Sequence, residues 1–207
     1  MLRLFRASKE IDFKDWLGRI FFESILIVLS IWGALSINNW HSSKENTALV
    51  KHSVLAFQQE IKHNRQWVEA SYPYQLGIKN VVLEMQTSEF PMATDELRQM
   101  MGGMQVVLLR ESTWDTVVGT GVLTHMDFEL VSALSLTYSL QDLVQALHND
   151  GVTDLIRNSY LLEGNKSALI FDVLRYLNSI IEAEAELKAA YIQVEEMLKQ
   201  QLGNEDQ

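Results

Sequence analysis

Apolar and polar positions follow three different rhythms along this chain. From Ile20 to Ile37 nearly every residue is apolar, and the only ionisable side chain is Glu23. These 18 residues, at a helical rise of about 1.5 Å each, approach the ~30 Å hydrocarbon thickness of a bilayer. The run therefore reads as a membrane span. Trp16 and Trp40 bracket it, with Phe13, Phe21 and Phe22 reinforcing the first boundary, as interfacial aromatics do. Beyond it, Val50, Val54, Phe57, Ile61 and Val68 recur at steps of four, three, four and seven, the mark of an amphipathic helix. One long helix is expected from the span to about residue 70. Tyr72-Pro73-Tyr74 should end it, because proline lacks the ladder donor and disfavours helix at the residue before it.

A second helix is expected over 75–87, carrying Leu76, Val81, Val82 and Met85. Thr94 reads as the N-cap of another, with Leu97, Met100 and Met101 buried. The stretch from Met101 to Gly121 has strand-like composition, yet residues 111–121 also read as a short glycine-capped helix. Helix is preferred, since a lone strand has nothing to pair with. Asp127 is the candidate N-cap of a strong helix that Asn149-Asp150-Gly151 should stop. From Thr153 the helical pattern runs to about Leu202, interrupted near Glu163-Gly164-Asn165-Lys166. The expected fold is all-α: a transmembrane helix leading into a small up-and-down bundle. The divisions are a basic tail at 1–19, the span at 20–40 and a helical domain at 41–207.

Charge orients this arrangement. The chain of 207 residues has a formal net charge of −10, but residues 1–19 carry +2 while residues from 41 onward carry −11. Five basic residues precede the span, whereas residues 41–59 hold only Lys44 and Lys51. The positive-inside rule puts the amino terminus in the cytoplasm of a bacterial inner membrane and the large domain in the periplasm or outside the cell. Ala34-Leu35-Ser36 would suit signal-peptide cleavage, but the long charged leader and the helical continuation favour an uncleaved signal anchor. The acidic domain has no clustered basic face for phosphates, which argues against nucleic-acid binding. Cysteine is absent, which removes disulfides, thiolate metal sites and a cysteine nucleophile.

On a helical wheel Ser30, Ala34, Ile37, Asn38 and His41 fall within about 60° of Glu23. A small, polar stripe within a span is a packing face against another membrane helix. Glu23 can alternatively reach the headgroups beside Arg19, four residues earlier. His41, His52 and His63 share one face but stand roughly 16 Å apart per step, too far for one metal within a chain. Glu60-x-x-His63 has the spacing of a di-iron ligand pair, without the second such pair that site requires. Gly102-Gly103 and Gly119-Thr120-Gly121 read as helix stops rather than phosphate cradles. The acidic run from Glu182 to Glu196 reads as a solvated helix face. Trp67, Tyr72, Tyr74 and Trp114 are the candidate lining of a ligand pocket, or simply core aromatics.

The span motif Ala34-Leu35-Ser36-Ile37-Asn38-Asn39-Trp40, together with Glu23, resembles the amino-terminal signature of a family of uncharacterised bacterial single-span membrane proteins. That signature continues with Asn-Glu, where this chain has His41-Ser42, and pairs its glutamate with a glycine, where this chain has Phe22. Trp114, Gly121, Leu134 and Tyr138 resemble a later segment of the same family. The resemblance implies a single-span membrane protein and implies no activity.

No serine nucleophile elbow, phosphate loop or His-Glu-x-x-His motif occurs in the sequence, so neither an enzyme nor a cofactor is expected. Two expectations remain. The first is a membrane-anchored helical protein acting through helix contacts, in a homo-oligomer or beside another membrane protein in an envelope complex. The second is a sensor-like module that binds a small ligand outside the cytoplasm.

Overall fold

The computed structural model describes residues 13–87, Gln99, 108–161 and 165–205. Within them lie four α-helices and one 3-10 turn: α1 Phe13–Thr87, α2 Ser112–Thr120, the turn Val122–His125, α3 Phe128–Leu161 and α4 Lys166–Glu205. No strand occurs among the described residues, and the short Ser112–Thr120 segment is helical as expected. The expectations at Thr94, Leu97, Met100, Met101 and Gly102-Gly103 lie outside the described residues. The chain divides into two compact units, Met1–Ala48 and Leu49–Gln207.

In the first unit every large apolar side chain from Trp16 to Trp40 is exposed, as are Glu23, Ser30, Ala34 and Asn38. This segment is long and apolar enough to cross a membrane, and its apolar window is exposed. Ser24 and Ser30 turn their hydroxyls back onto the carbonyls of Ile20 and Leu26, which satisfies them within the helix.

The second unit is built on a repeat of 3.5 residues. On α1 the positions facing the core are Val50, Val54, Phe57, Ile61, Asn64, Val68, Ser71, Gln75, Ile78, Val82 and Met85, in unbroken steps of four and three. On α3 they are Leu130, Leu134, Thr137, Gln141, Val144, His148, Gly151 and Leu155, spaced the same way. Leu169, Val173, Leu177, Ile180, Leu187, Tyr191, Val194 and Leu198 of α4 close the core. Such spacing brings one seam of each helix against its neighbours, as in coiled coils.

Two expected helix ends are absent. Pro73 lies inside α1, which continues to Thr87, so the separate helix over 75–87 is part of α1. The proline removes one ladder bond. The core contacts of Val68, Gln75 and Ile78 on either side hold the helix across it. Likewise α3 passes through Asn149-Asp150-Gly151 to Leu161. Glycine stands at 151 because α4 approaches closely there: a Cβ atom would lie 2.4 Å from the Tyr176 ring. Local caps behave as the sequence indicates. Gly121 ends α2 in the left-handed conformation, at φ 73°, and Asp127 Oδ1 accepts the Glu129 and Leu130 amides at the start of α3.

Glu60 meets Tyr138, Asn64 meets Gln141 and Gln75 meets His148, so α1 and α3 run in the same direction. Gln141 meets Tyr191 whereas Gly151 meets Tyr176, so α4 runs against both. α2 lies in the connection between α1 and α3.

Candidate functional site

The most elaborate chemistry lies inside the bundle, on the core face of α1. Glu60, Asn64, Ser71 and Gln75 fall within about 60° of Glu60 on the wheel and form a polar seam among apolar neighbours. Each meets partners on other helices.

Glu60 is buried and takes hydrogen bonds from four donors. Ser112 Oγ and Thr113 Oγ1 donate at 3.0 Å, the Thr113 amide at 3.0 Å and Tyr138 Oη at 2.6 Å. The residue preceding α2, Glu111, makes no side-chain cap. Glu60 therefore caps α2 from another helix, its negative charge set against the positive end of the helix dipole. Trp114, also from α2, stacks on Tyr138 with ring centroids 5.1 Å apart. Burial, then the hydrogen bond to Glu60, push the Tyr138 hydroxyl far above its ordinary range, so it remains a donor. The exposed Glu111 carboxyl is raised by partial desolvation and then by Asp142, Asp115 and Glu60, since four carboxylates gather about the start of α2.

Just before α2, the chain from Leu108 to Glu111 has no helical ladder, yet the Leu109 amide and both backbone groups of Arg110 are partnered. Asn64 binds Arg110 on both sides: its Oδ1 accepts the amide at 2.9 Å and its Nδ2 donates to the carbonyl at 2.7 Å. Gln141 donates to the same carbonyl, and Gln145 accepts the Leu109 amide. Side-chain amides here replace the backbone partners that regular structure would supply. Tyr191 of α4 donates to Gln141 Oε1 at 2.8 Å and joins all three long helices at this level.

Further along α1, Glu184 of α4 is fully buried. Its Oε1 accepts Ser71 Oγ at 3.0 Å and Gln75 Nε2 at 2.7 Å and lies 2.8 Å from His148 Nε2. With His148 donating from Nε2, its Nδ1 is left to accept the Tyr176 hydroxyl at 3.4 Å. The Trp67 indole packs edge-on against the imidazole, 5.7 Å between centroids. Burial and then the charge of Glu184 raise the Tyr176 hydroxyl above its ordinary range. On the flank, Arg65 and Glu195 form an ion pair at 3.1 Å whose N–H is not aligned for a hydrogen bond. Lys188 reaches Glu69 at 3.7 Å.

The four aromatic residues proposed for a ligand pocket are thus divided. Trp114 belongs to the Glu60 cluster and Trp67 to the His148 cluster, while Tyr72 is half-buried and Tyr74 exposed. None of them lines either of two cavities in the second unit. A cavity of about 480 Å³ opens between α1 and α2, bounded by His52, Ser53, Ser112, Thr113 and Thr116. A smaller one of about 240 Å³ lies between α3 and α4 beside Gly151, Asp154, Asp172 and Tyr176. The spaced histidines do not converge: His41 pairs with Glu45 at 3.3 Å, His52 borders the larger cavity and His63 is exposed. Among the described residues no group of three metal-ligating side chains is close enough to hold an ion.

Chemically, both carboxylate oxygens of Glu60 accept hydrogen bonds from its own chain. The seam ties helices together, and the Glu60 partners Ser112 and Thr113 also border the larger cavity. Reading the sequence by apolar positions alone missed it, although a signal was present. The step of seven from Ile61 to Val68 skips Asn64, and a polar residue at a core position of a 3.5 repeat marks an interhelical hydrogen bond. Glu60 gave no such sign, because its partners lie 52 and more residues away.

Fold and site together define an all-α helical bundle with one membrane-length apolar helix near the amino terminus. Comparison with models of known families, with curated proteins and with solved structures finds no match to this chain.

Proposed function

We propose that this protein is anchored in the bacterial inner membrane by residues 20–40, with its amino terminus cytoplasmic, and acts through helix contacts rather than by catalysis. The observation that carries this reading is the first unit. Fifteen large apolar side chains between Trp16 and Trp40 stand exposed along one helix, a surface that water does not tolerate and that lipid covers. Glu23, Ser30, Ala34, Ile37 and Asn38 interrupt that surface as one stripe, which serves as the docking face for a second span, from another copy or from another membrane protein. The likeness of the span motif to that of uncharacterised single-span membrane proteins agrees with it.

The test is the native mass of the protein extracted in mild detergent, with co-purifying chains identified. Glu23→Leu and Asn38→Leu should lower the mass of the assembly while helical content stays unchanged. Unaltered mass in both variants would remove the stripe as a contact face. The cavity between α1 and α2 favours a second reading, as a small-ligand sensor, because about 480 Å³ lies within the range of ligand sites. A rise in melting temperature with a small molecule, abolished by Thr116→Trp, would support it.

A further inference from the structure

We propose that the cavity between α1 and α2 is a site for a primary ammonium, the cationic form of a small aliphatic amine. This rests on the second reading above, that the cavity takes a small ligand, and names the chemistry of that ligand. Five hydroxyl residues border the cavity, Ser53 from α1 and Ser112, Thr113, Thr116 and Thr120 from α2. The four of α2 have already committed their protons. Ser112 Oγ and Thr113 Oγ1 each donate to Glu60 Oε2 at 3.0 Å, Thr116 Oγ1 to the Ser112 carbonyl at 2.7 Å and Thr120 Oγ1 to the Thr116 carbonyl at 2.8 Å. A hydroxyl has one proton and two lone pairs, so what these oxygens have left for a ligand is lone pairs. An ammonium is the complement, with donors and no acceptor.

Glu60 supplies the charge that selects a cation. Its donors from Ser112, Thr113 and Tyr138 are all neutral, and among the described residues no basic side chain pairs with it. The carboxylate is offset only by the dipole of α2, worth about half a charge. Ser112 and Thr113 link it to the cavity, and a hydroxyl that donates to a carboxylate becomes a stronger acceptor in turn. Among the described residues no lysine or arginine borders the cavity to compete, and the chain from residue 41 onward carries −11. An anion is disfavoured on the same grounds. The start of α2 is where helix amides would hold one, and Glu60 already takes the Thr113 amide. Leu49, Ala56, Val117 and Val122 give the alkyl part of the amine an apolar wall. His52, the one ionisable residue of the lining, has an acceptor nitrogen when neutral.

The test uses n-butylammonium, n-butanol and butanoate, which share one alkyl chain and differ in charge and donors. Each is titrated into the full chain in mild detergent at one ionic strength, with melting temperature and calorimetric binding as readouts. n-Butylammonium alone should bind and raise the melting temperature, and Thr116→Trp, which fills the cavity, should abolish the rise. Glu60→Gln should weaken the binding roughly tenfold by removing the nearby charge. Because Glu60 also caps α2, a second variant is needed that leaves the cap alone. Thr120→Lys, at the exposed end of α2, sets a cation at the site without touching the core and should abolish n-butylammonium binding. If n-butanol or butanoate binds as tightly as the amine and Thr116→Trp removes that binding, the cation is refuted and the cavity survives as a ligand site. Amine binding that persists in Thr116→Trp, or is indifferent to both charge variants, would refute this cavity as an ammonium site. If none of the three binds, the ammonium and the ligand reading fall together.

Discussion

At Gly151 two physical effects of opposite sign meet, and their balance can be worked out before measurement. In an exposed helix interior Gly→Ala stabilises by about 1 kcal/mol, because glycine loses the most backbone freedom on folding. At 151 the added methyl would sit 2.4 and 2.5 Å from Cε2 and Cδ2 of Tyr176. Carbon atoms pack at about 3.5 Å or more, so the ring must retreat by roughly 1 Å. It cannot do so freely, because its hydroxyl is held in the core beside His148. Overpacking of this kind costs about 1–3 kcal/mol. Gly151→Ala alone should therefore leave stability unchanged or lower it by up to about 2 kcal/mol, against the helix propensity. In a Tyr176→Ala background, itself costly, the obstacle is gone and the same substitution should stabilise by about 1 kcal/mol. Urea denaturation of the full chain in detergent, followed by tryptophan fluorescence, measures the four variants as a cycle. A sign inversion between the backgrounds supports the close approach of α3 and α4. Equal effects in both would refute it.

Two further outcomes follow from the buried hydroxyls and the borrowed cap. Tyr138, Tyr176 and Tyr191 are all raised above the ordinary tyrosine value, chiefly by burial, so above pH ~10 the folded chain retains protons that the unfolded chain gives up. Their contribution is complete below that pH and is lost as pH rises beyond it, at up to about 1.4 kcal/mol per pH unit for each tyrosine. Tyr138→Phe should flatten the alkaline fall of melting temperature, and an unchanged slope would contradict the assignment. Glu60→Ala should cost about 3 kcal/mol or more, because the Thr113 amide and the Tyr138 hydroxyl lose a charged acceptor. It should also speed hydrogen exchange at Thr113 well beyond that at Leu187. Uniform acceleration across the bundle would mean that α2 is not held separately.

What the sequence disclosed divides by the range of the interaction. The caps at Asp127 and Gly121 were legible because a cap is settled within four residues. The exposed, membrane-length apolar helix was legible because length and composition alone define it. Pro73 and Gly151 misled because each was judged by local propensity. The repeat of four and three runs through both positions once Asn64, Ser71, Gln75, Gln141 and His148 are counted as core. Burying a polar residue is favourable only where a partner awaits it, and the partners of Glu60, Asn64 and Gln75 lie 46 to 109 residues from the side chains they bind. No local pattern contains that information. Trp67 and Trp114, read as pocket lining or simply core aromatics, pack against the core beside different polar clusters.

The polar seam also explains why parallel helices keep one register. A purely apolar 3.5 repeat is nearly invariant to a slip of one heptad, about 10 Å along the axis. In the native register Asn64, Gln141 and Tyr191 meet at one level, and Gln75, His148 and Glu184 meet at another. Slip α3 by seven residues one way and Leu134 faces Asn64, so the amide clamp on Arg110 loses Gln141. Slip it the other way and Leu155 comes to the level of Glu184, which loses His148. Each orphaned buried group costs about 1–3 kcal/mol, and either slip leaves several. The two levels lie at different spacings on α1 and α3, 11 residues apart on one and 7 on the other, so a single displacement cannot satisfy both again. Hydrophobic burial stabilises the bundle, and the seam selects which of several apolar alignments it adopts.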